Sequence, residues 1–310
     1  MNNETNKIMT WNEALDHYGL NYNVEKRPLY LNNGQEVSNL YSIVRTDTEQ
    51  PLSGVAVNGR YTCIQTSEYA DIGNRICGQL GCTFVNGGSL LNGRGLFLQA
   101  KLPDSFRVKG TNDQVNKNLT FLTSHDGSLC FTILSTMLRL FCANQFAALQ
   151  DNFREGLKVR HTSTAEQRLA NADKAVLDIM NAYKVFEQKI DWLADQRFTD
   201  LQLDIACKKV FGVKDDQEIA TKTKNNIDKV KELFTEGQGQ HMFQGSAWSA
   251  FNAFTEYSDH ERTVRGSKDK AEKTRFESGL IGVGSVFKIK ALNAIEETLG
   301  VKQITSLHAS

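Results

Sequence analysis

The residues with the greatest chemical capacity lie together at the end of one predicted strand. The stretch 123–128 reads Thr-Ser-His-Asp-Gly-Ser, so an imidazole and a carboxylate, His125 and Asp126, precede a turn-forming glycine. Neighbouring side chains on an extended strand point to opposite faces, so Ser124, His125 and Asp126 do not form a catalytic triad among themselves. Two interpretations stay open: a polar hairpin turn, or binding and catalytic groups on the rim of a rigid sheet.

Two further clusters have the chemistry to hold an anion. Arg139 and Asn144 follow an apolar strand, where an arginine at the edge of a core needs an anionic or carbonyl partner. Lys158, Arg160 and His161 come just before a long predicted helix, whose free amides favour anions. Each cluster is equally compatible with an ordinary solvated strand or helix end.

A predicted helix over residues 244–261 carries a polar row. Trp248, Asn252, Thr255 and Asp259 recur at helical spacing and share one face, and His260 follows directly. The row predicts either a buried hydrogen-bond network or a surface that faces a ligand.

A basic stretch follows this helix. Residues 262–275 contain six basic and two acidic side chains, beginning with Arg262, Arg265 and Lys268, and Gly266-Ser267 predicts a loop. Such a stretch is typical of a solvated surface, but it also suits a nucleic-acid contact in which Trp248 or Tyr61 stacks on bases.

Composition excludes several classes of protein. The 36 basic residues balance the 36 acidic ones, which argues against a protein that coats nucleic acid by bulk charge but not against a local basic groove. No apolar run is long enough to span a membrane, residues 1–10 lack the apolar region of a secretory signal, and the six cysteines form no CxxC pair. We therefore expect a soluble cytoplasmic protein with reduced thiols. No motif for a nucleotide, a metal or another cofactor is present, so none is predicted.

The periodicity predicts an α+β fold: an N-terminal, mainly antiparallel sheet with short helices, then a C-terminal helical region that packs against it. We predict a β-rich part over residues 1–162 and a helical part over 163–310, in the same or an adjoining domain. The first part has predicted strands that include 40–45 and 60–65, and predicted helices that begin at Thr10 and Thr66. The second has an apolar stripe on a helix of about 30 residues after Ser163, then helices at 199–211, 215–236, 244–261 and 285–299.

The order of these motifs resembles a phage- and plasmid-borne family known as domain of unknown function 932, over roughly residues 20–290. The stretches that carry the resemblance are 24–30, 61–65, 88–89, 124–128, 139–144, 160–162 and 247–260. Tyr22 departs from a more usual tryptophan, and Leu140-Phe141 from a pair of valines. The resemblance implies a mobile-element protein of the bacterial cytoplasm, but it implies no activity. Its polar motif positions are Arg45, Tyr61, His125, Asp126, Arg139, Asn144, Arg160, His161, Asn252, Thr255, Asp259 and His260.

Three classes of function compete. The first is a nucleic-acid-binding accessory factor of phage replication or recombination, similar in outline to single-strand annealing proteins, with single-stranded DNA as partner and a homo-oligomer as a possible assembly. The second is an enzyme that uses His125 or His161 as general acid or base and Asp126 or Asp259 to orient it. The third is a structural or host-interaction protein. We expect His125, Arg139, His161 and Asp259 to lie within about 12 Å of a common centre if they form one pocket.

Overall fold

Strands form two sheets in the computed structural model, which describes residues 9–139, 145–147, 157–159, 165–214 and 218–301. Strands β1 (Val24–Tyr30), β2 (Glu36–Arg45) and β3 (Pro51–Asn58) form a three-stranded antiparallel sheet in that order. The second sheet has six strands. Its order is β4 (Thr83–Leu90), β5 (Gly95–Arg107), β6 (Gln114–Ser124), β7 (Phe131–Arg139) and β8 (Gln145–Ala147), and β9 (Leu157–Val159) also pairs with β7.

Among the described residues, the α-helices comprise two short ones within the strand-rich part and six after it. The short helices are α1 (Trp11–His17) and α2 (Ala70–Leu80). The later helices are α3 (Ala165–Asp195), α4 (Asp200–Phe211), α5 (Thr221–Glu236), α6 (Ala247–Glu256), α7 (Lys268–Ile281) and α8 (Val283–Thr298). A π-helical turn, Tyr257–Glu261, continues α6. This confirms the predicted fold class of N-terminal antiparallel strands with short helices followed by C-terminal helices.

The chain forms two compact units. Unit 1 comprises residues 1–104, 118–135 and 151–182, and unit 2 comprises residues 105–117, 136–150 and 183–310. In the part of the chain that the structure describes, no single helix is long and apolar enough to cross a membrane. The α7–α8 pair, bent by 58°, meets that criterion only when both helices are counted together.

Local sequence signals place the helix ends. Thr10 caps α1, accepting a hydrogen bond from the Glu13 amide, while the Glu13 carboxylate accepts one from the Thr10 amide at 2.8 Å. Thr199 and Gln202 form the same reciprocal arrangement at the start of α4. These pairs satisfy amides that a helix start leaves without partners, which is why the predicted starts are confirmed.

The strand predicted over residues 60–65 is wrong. This segment has no strand structure, and the Gln65 side chain takes the place of a neighbouring strand beside β1. Its Oε1 accepts a hydrogen bond from the Val24 amide at 3.0 Å, and its Nε2 donates one to the Val24 carbonyl at 2.9 Å. The β-forming composition of the segment instead supplies side chains that pack on the three-stranded sheet, among them Tyr61 and Cys63.

The core of unit 1 is built around Trp11, which is fully buried. Its ring makes edge-to-face contacts with Phe84, Phe121 and Phe131 at centroid distances of 5.3–6.1 Å. Its Nε1 donates a hydrogen bond to the Thr66 carbonyl at 3.0 Å. This contact joins α1 to the segment that leads into α2.

Gly73 allows α2 to approach this tryptophan. A Cβ at residue 73 would lie 2.3 Å from Cε3 of Trp11, closer than packed atoms tolerate. We expect Gly73→Ala to lower the free energy of unfolding by about 1–3 kcal/mol through overpacking. Gly78→Ala on the same helix meets nothing within 4 Å and should raise it by up to about 1 kcal/mol through better helix propensity. Urea unfolding of both variants tests the pair, and similar effects on stability would contradict the packing argument.

Candidate functional site

His125 is held in unit 1 by three hydrogen bonds and is 1% exposed. Its amide donates to the Arg94 carbonyl at 2.8 Å, and its carbonyl accepts from the Tyr61 hydroxyl at 2.7 Å. The ring Nδ1 lies 3.0 Å from the Ile64 carbonyl. Burial lowers the pKa of His125, although the Ile64 bond and Asp126 act in the opposite direction. The histidine is therefore a fixed, neutral side chain at pH 7.

The Asp126 carboxylate bonds to Arg94 and to Ser128 of its own turn. Its carboxylate, 4% exposed, accepts from Arg94 Nη1 at 2.9 Å and from the amide and hydroxyl of Ser128 at 3.0 and 2.6 Å. Burial acts to raise the pKa of Asp126, but the hydrogen bonds from Ser128, Ser124 and Arg94 together lower it. The sequence hypothesis that Asp126 orients His125 for acid–base catalysis is corrected here, because Nδ1 of the ring bonds to a backbone carbonyl.

Arg45 and Tyr22 complete this cluster. The Arg45 guanidinium lies 3.7 Å from the centroid of the Tyr22 ring, and the ring of Tyr22 lies 5.3 Å from that of His125. Arg45 also pairs with Asp47, with Nη2 2.6 Å from Oδ2. Arg45, Tyr61, His125 and Asp126, which the sequence singles out separately, therefore lie in one region of unit 1.

In unit 2, Asp259 forms a nearly enclosed ion pair. Lys288 Nζ lies 2.7 and 2.8 Å from the two carboxylate oxygens, and the two side chains are 3% and 12% exposed. The π-helical turn places Asp259 at the end of α6, and Lys288 comes from α8. The neighbouring His260 is exposed.

The other members of the α6 row are core residues. Trp248, Asn252 and Thr255 are fully buried, and both polar side chains donate to carbonyls of their own helix, those of Trp248 and Asn252. Trp248 Nε1 lies 3.4 Å from an Asp113 carboxylate oxygen. The predicted contact of these residues with nucleic acid is corrected, since a ring enclosed on every side offers no face to a base. Periodicity alone does not tell a buried polar row from an exposed one.

The loop predicted at Gly266-Ser267 is present, and the basic stretch continues from it into a helix. Only residues 262–267 are non-helical, and α7 begins at Lys268 because Lys, Ala and Glu are good helix formers. Arg262 is fixed by the protein: it is half-buried, its Nη2 donates to Ser278 Oγ at 2.8 Å, and its carbonyl accepts from Arg275. Arg265 and Lys268 are exposed.

Several predicted site residues lie wholly or in part outside the described structure. Asn144, Arg160 and His161 lie outside the described residues. Arg139 is the last residue of β7, and Lys158 is paired with Thr132 in β9, with only their backbones described. No group of three His, Cys, Asp or Glu side chains in the described ranges has the arrangement of a metal site.

The model of a family described as a domain of unknown function, DUF932, matches residues 55–279, well over half of the chain. The chain belongs to this family. No curated protein and no solved structure matches it.

The DUF932 match covers part of each cluster described above, and Tyr22 and Arg45 precede it. It includes Tyr61, His125 and Asp126 of unit 1 and Asp259 of unit 2, whereas Lys288 lies beyond it. The single pocket predicted from His125, Arg139, His161 and Asp259 stays a prediction, because His161 is outside the described residues and His125 and Asp259 belong to different units.

Sequence reasoning misses the two basic residues of this DUF932 chain that pair with Asp126 and Asp259, namely Arg94 and Lys288. Lys288 does leave a signal, since it lies at helical spacing from the apolar residues Ala291, Leu292 and Ile295, and a lysine on such a face needs a buried acid. Arg94, the partner of Asp126, leaves none, because Gly93-Arg94-Gly95 looks like an ordinary turn.

Proposed function

We propose that this protein binds the phosphate backbone of single-stranded DNA through the start of α7, as an accessory factor of phage or plasmid replication or recombination in the bacterial cytoplasm. The observation that carries the proposal is a group of three exposed cations, Arg265, Lys268 and Lys270. None of them has an acidic partner among the described residues. We call this group the α7 basic cluster.

The position of the α7 basic cluster favours an anionic ligand. Lys268 and Lys270 lie in the first turn of a helix, where positive charge opposes the helix dipole and costs stability unless an anion is bound nearby. Ser267 at the N-cap makes no side-chain capping bond, so the first amides of α7 accept no help from its hydroxyl and are available to an anion. The Lys270 side chain lies against Gly266, which keeps it beside the loop that carries Arg265.

The proposed binding depends on contacts with DNA phosphates and not on bases stacked on aromatic rings. Of the two rings assigned to stacking, Trp248 is buried and Tyr61 is half-buried with its hydroxyl bonded to His125. Phosphate contacts give affinity without sequence preference and make binding strongly dependent on salt. The neutral net charge of the chain is compatible with such a local surface.

Salt-dependent binding tests the proposal. Anisotropy of a fluorescent oligothymidylate is measured for the wild type and for Arg265→Gln/Lys268→Gln/Lys270→Gln over a salt series. We expect a steep negative log–log slope for the wild type and a slope about two units shallower for the variant, since three lost phosphate contacts count roughly 0.7 each on a single strand.

A matched variant controls for net charge. Lys214→Gln/Lys222→Gln/Lys224→Gln removes three exposed lysines elsewhere in unit 2 and should keep the wild-type slope. A wild-type slope near zero, or the same shallower slope in both variants, would show that the α7 basic cluster is only a solvated surface. A duplex of the same sequence, measured in parallel, tests the preference for a single strand.

A further inference from the structure

His125 lies at a contact between the two sheets within unit 1. It belongs to the loop 125–130 that joins β6 to β7, and its ring packs on Tyr22. Tyr22 is part of the apolar cluster of the three-stranded sheet, with Val24, Ile43, Leu52 and Val57. Tyr61, which packs on the same cluster, donates its hydroxyl to the His125 carbonyl. His125 therefore contacts, through its ring and its main chain, two residues that pack on the three-stranded sheet.

The bonding of the ring defines its protonation state. A carbonyl only accepts hydrogen bonds, so the contact with Ile64 requires the hydrogen on Nδ1. Nε2 of the neutral ring then carries a lone pair, and this atom is buried without a hydrogen-bond partner among the described residues. A proton added at Nε2 would be an enclosed charged donor with no acceptor, a state that proteins tolerate poorly.

The charges around the ring act in opposite directions, since Arg45 opposes a positive charge on His125 and Asp126 favours one, so burial is the main barrier to protonation. On the three-stranded sheet, the Arg45 guanidinium lies on the Tyr22 ring and is paired with Asp47. From the loop, Asp126 is the one nearby acid, and Arg94 and Ser128 already engage its carboxylate. Tyr22, Tyr61 and Cys63 are neutral at physiological pH, and burial raises the pKa of each of them.

We propose that His125 is an acid-sensitive contact whose protonation releases the three-stranded sheet from the β6–β7 loop. The charged ring is stable only where water or an acceptor reaches Nε2, and separating Tyr22 and Tyr61 from the loop provides that access. The contact is closed when the ring is neutral and opens when the ring takes up a proton. This inference concerns unit 1 and does not depend on the nucleic-acid surface of α7.

The sign and size of the effect follow from linkage. The open state has an ordinary histidine with a pKa near 6.5, whereas the closed state takes up the proton only at lower pH. The opening equilibrium is then constant above about pH 6.5 and rises about tenfold for each pH unit below it. Between pH 7.5 and pH 5.5 the population of the open state should rise about tenfold.

Hydrogen–deuterium exchange of the full chain tests the proposal, with rates corrected for the intrinsic effect of pH. We expect peptides from β1, β2 and β3 to exchange about tenfold faster at pH 5.5 than at pH 7.5. Peptides from α2 should keep their protection. His125→Asn, which keeps a side-chain N–H donor for the Ile64 carbonyl but cannot be protonated, should remove the pH dependence. His17→Asn, at an exposed histidine of unit 1, should retain it.

Two results would overturn the proposal: no gain of exchange in the wild type at pH 5.5, or the same gain in His125→Asn. If His125→Asn does not fold, Tyr61→Phe gives the second test. It removes the hydroxyl bond to the loop but leaves the histidine in place, so β1, β2 and β3 should exchange faster at both pH values, with the rise between pH 7.5 and pH 5.5 retained. Unchanged exchange rates in Tyr61→Phe at both pH values, or loss of the rise at pH 5.5, would contradict the proposal.

Discussion

Lys288→Met is expected to lower the free energy of unfolding by about 3–5 kcal/mol, the usual cost of leaving one member of a buried ion pair without its partner. Lys288 is almost completely buried, and its ammonium lies within 2.8 Å of both oxygens of Asp259. Methionine fills a similar volume, so the loss of unfolding free energy comes from the unpaired Asp259 carboxylate and not from a cavity. Urea unfolding followed by circular dichroism measures the effect.

A double-mutant cycle separates this charge effect from packing. Lys288→Met/Asp259→Asn removes both charges and should be more stable than Lys288→Met alone, because no uncompensated charge stays buried. Lys290→Met on the same helix serves as a control. Lys290 is exposed and donates to the Val210 carbonyl, so its loss should cost only about 1 kcal/mol. The cycle also needs Asp259→Asn alone. If the losses of Lys288→Met and Asp259→Asn simply add in the double variant, the two residues are not coupled and the argument fails.

Trp11→Ala is expected to have a similarly large effect in unit 1, with a loss of about 3–5 kcal/mol. The substitution removes a fully buried ring, its three edge-to-face contacts and the hydrogen bond to the Thr66 carbonyl. We expect little collapse into the space, since Phe84, Phe121 and Phe131 belong to strands of one hydrogen-bonded sheet.

The control for this prediction is another tryptophan. Trp192 on α3 is half-buried and lies beside the Lys189 side chain, so Trp192→Ala should cost clearly less. Thermal unfolding of the two variants compares them directly. Equal shifts of the unfolding midpoint would mean that Trp11 is not central to the core of unit 1.

The sequence predicts those parts of the fold that depend on short-range chemistry. Thr10 with Glu13 and Thr199 with Gln202 satisfy helix amides three residues away, so both helix starts are readable from the chain alone. The long apolar stripe after Ser163 likewise predicts α3, observed over Ala165–Asp195. The strand predicted over residues 60–65 is wrong because this segment makes contacts with a part of the chain that is distant in sequence. The Gln65 side chain bonds to the main chain of Val24 in β1, 41 residues away.

Tertiary structure alone decides which candidate residues are free to act. Trp248, Asn252 and Thr255 lie in one α-helix as the spacing predicts, whereas Asp259 falls in the π-helical turn after it. The burial of the first three depends on what packs there, and they are core residues for that reason. The partners of Asp126 and Asp259 come from Arg94 and Lys288, which are 32 and 29 residues away. Spacing along a chain states which side chains share an element, whereas the partner of a charge is set by the packing of elements against one another. The sequence therefore determines which residue types the candidate site contains. The fold decides whether each side chain is buried, paired with another charge or exposed to a ligand.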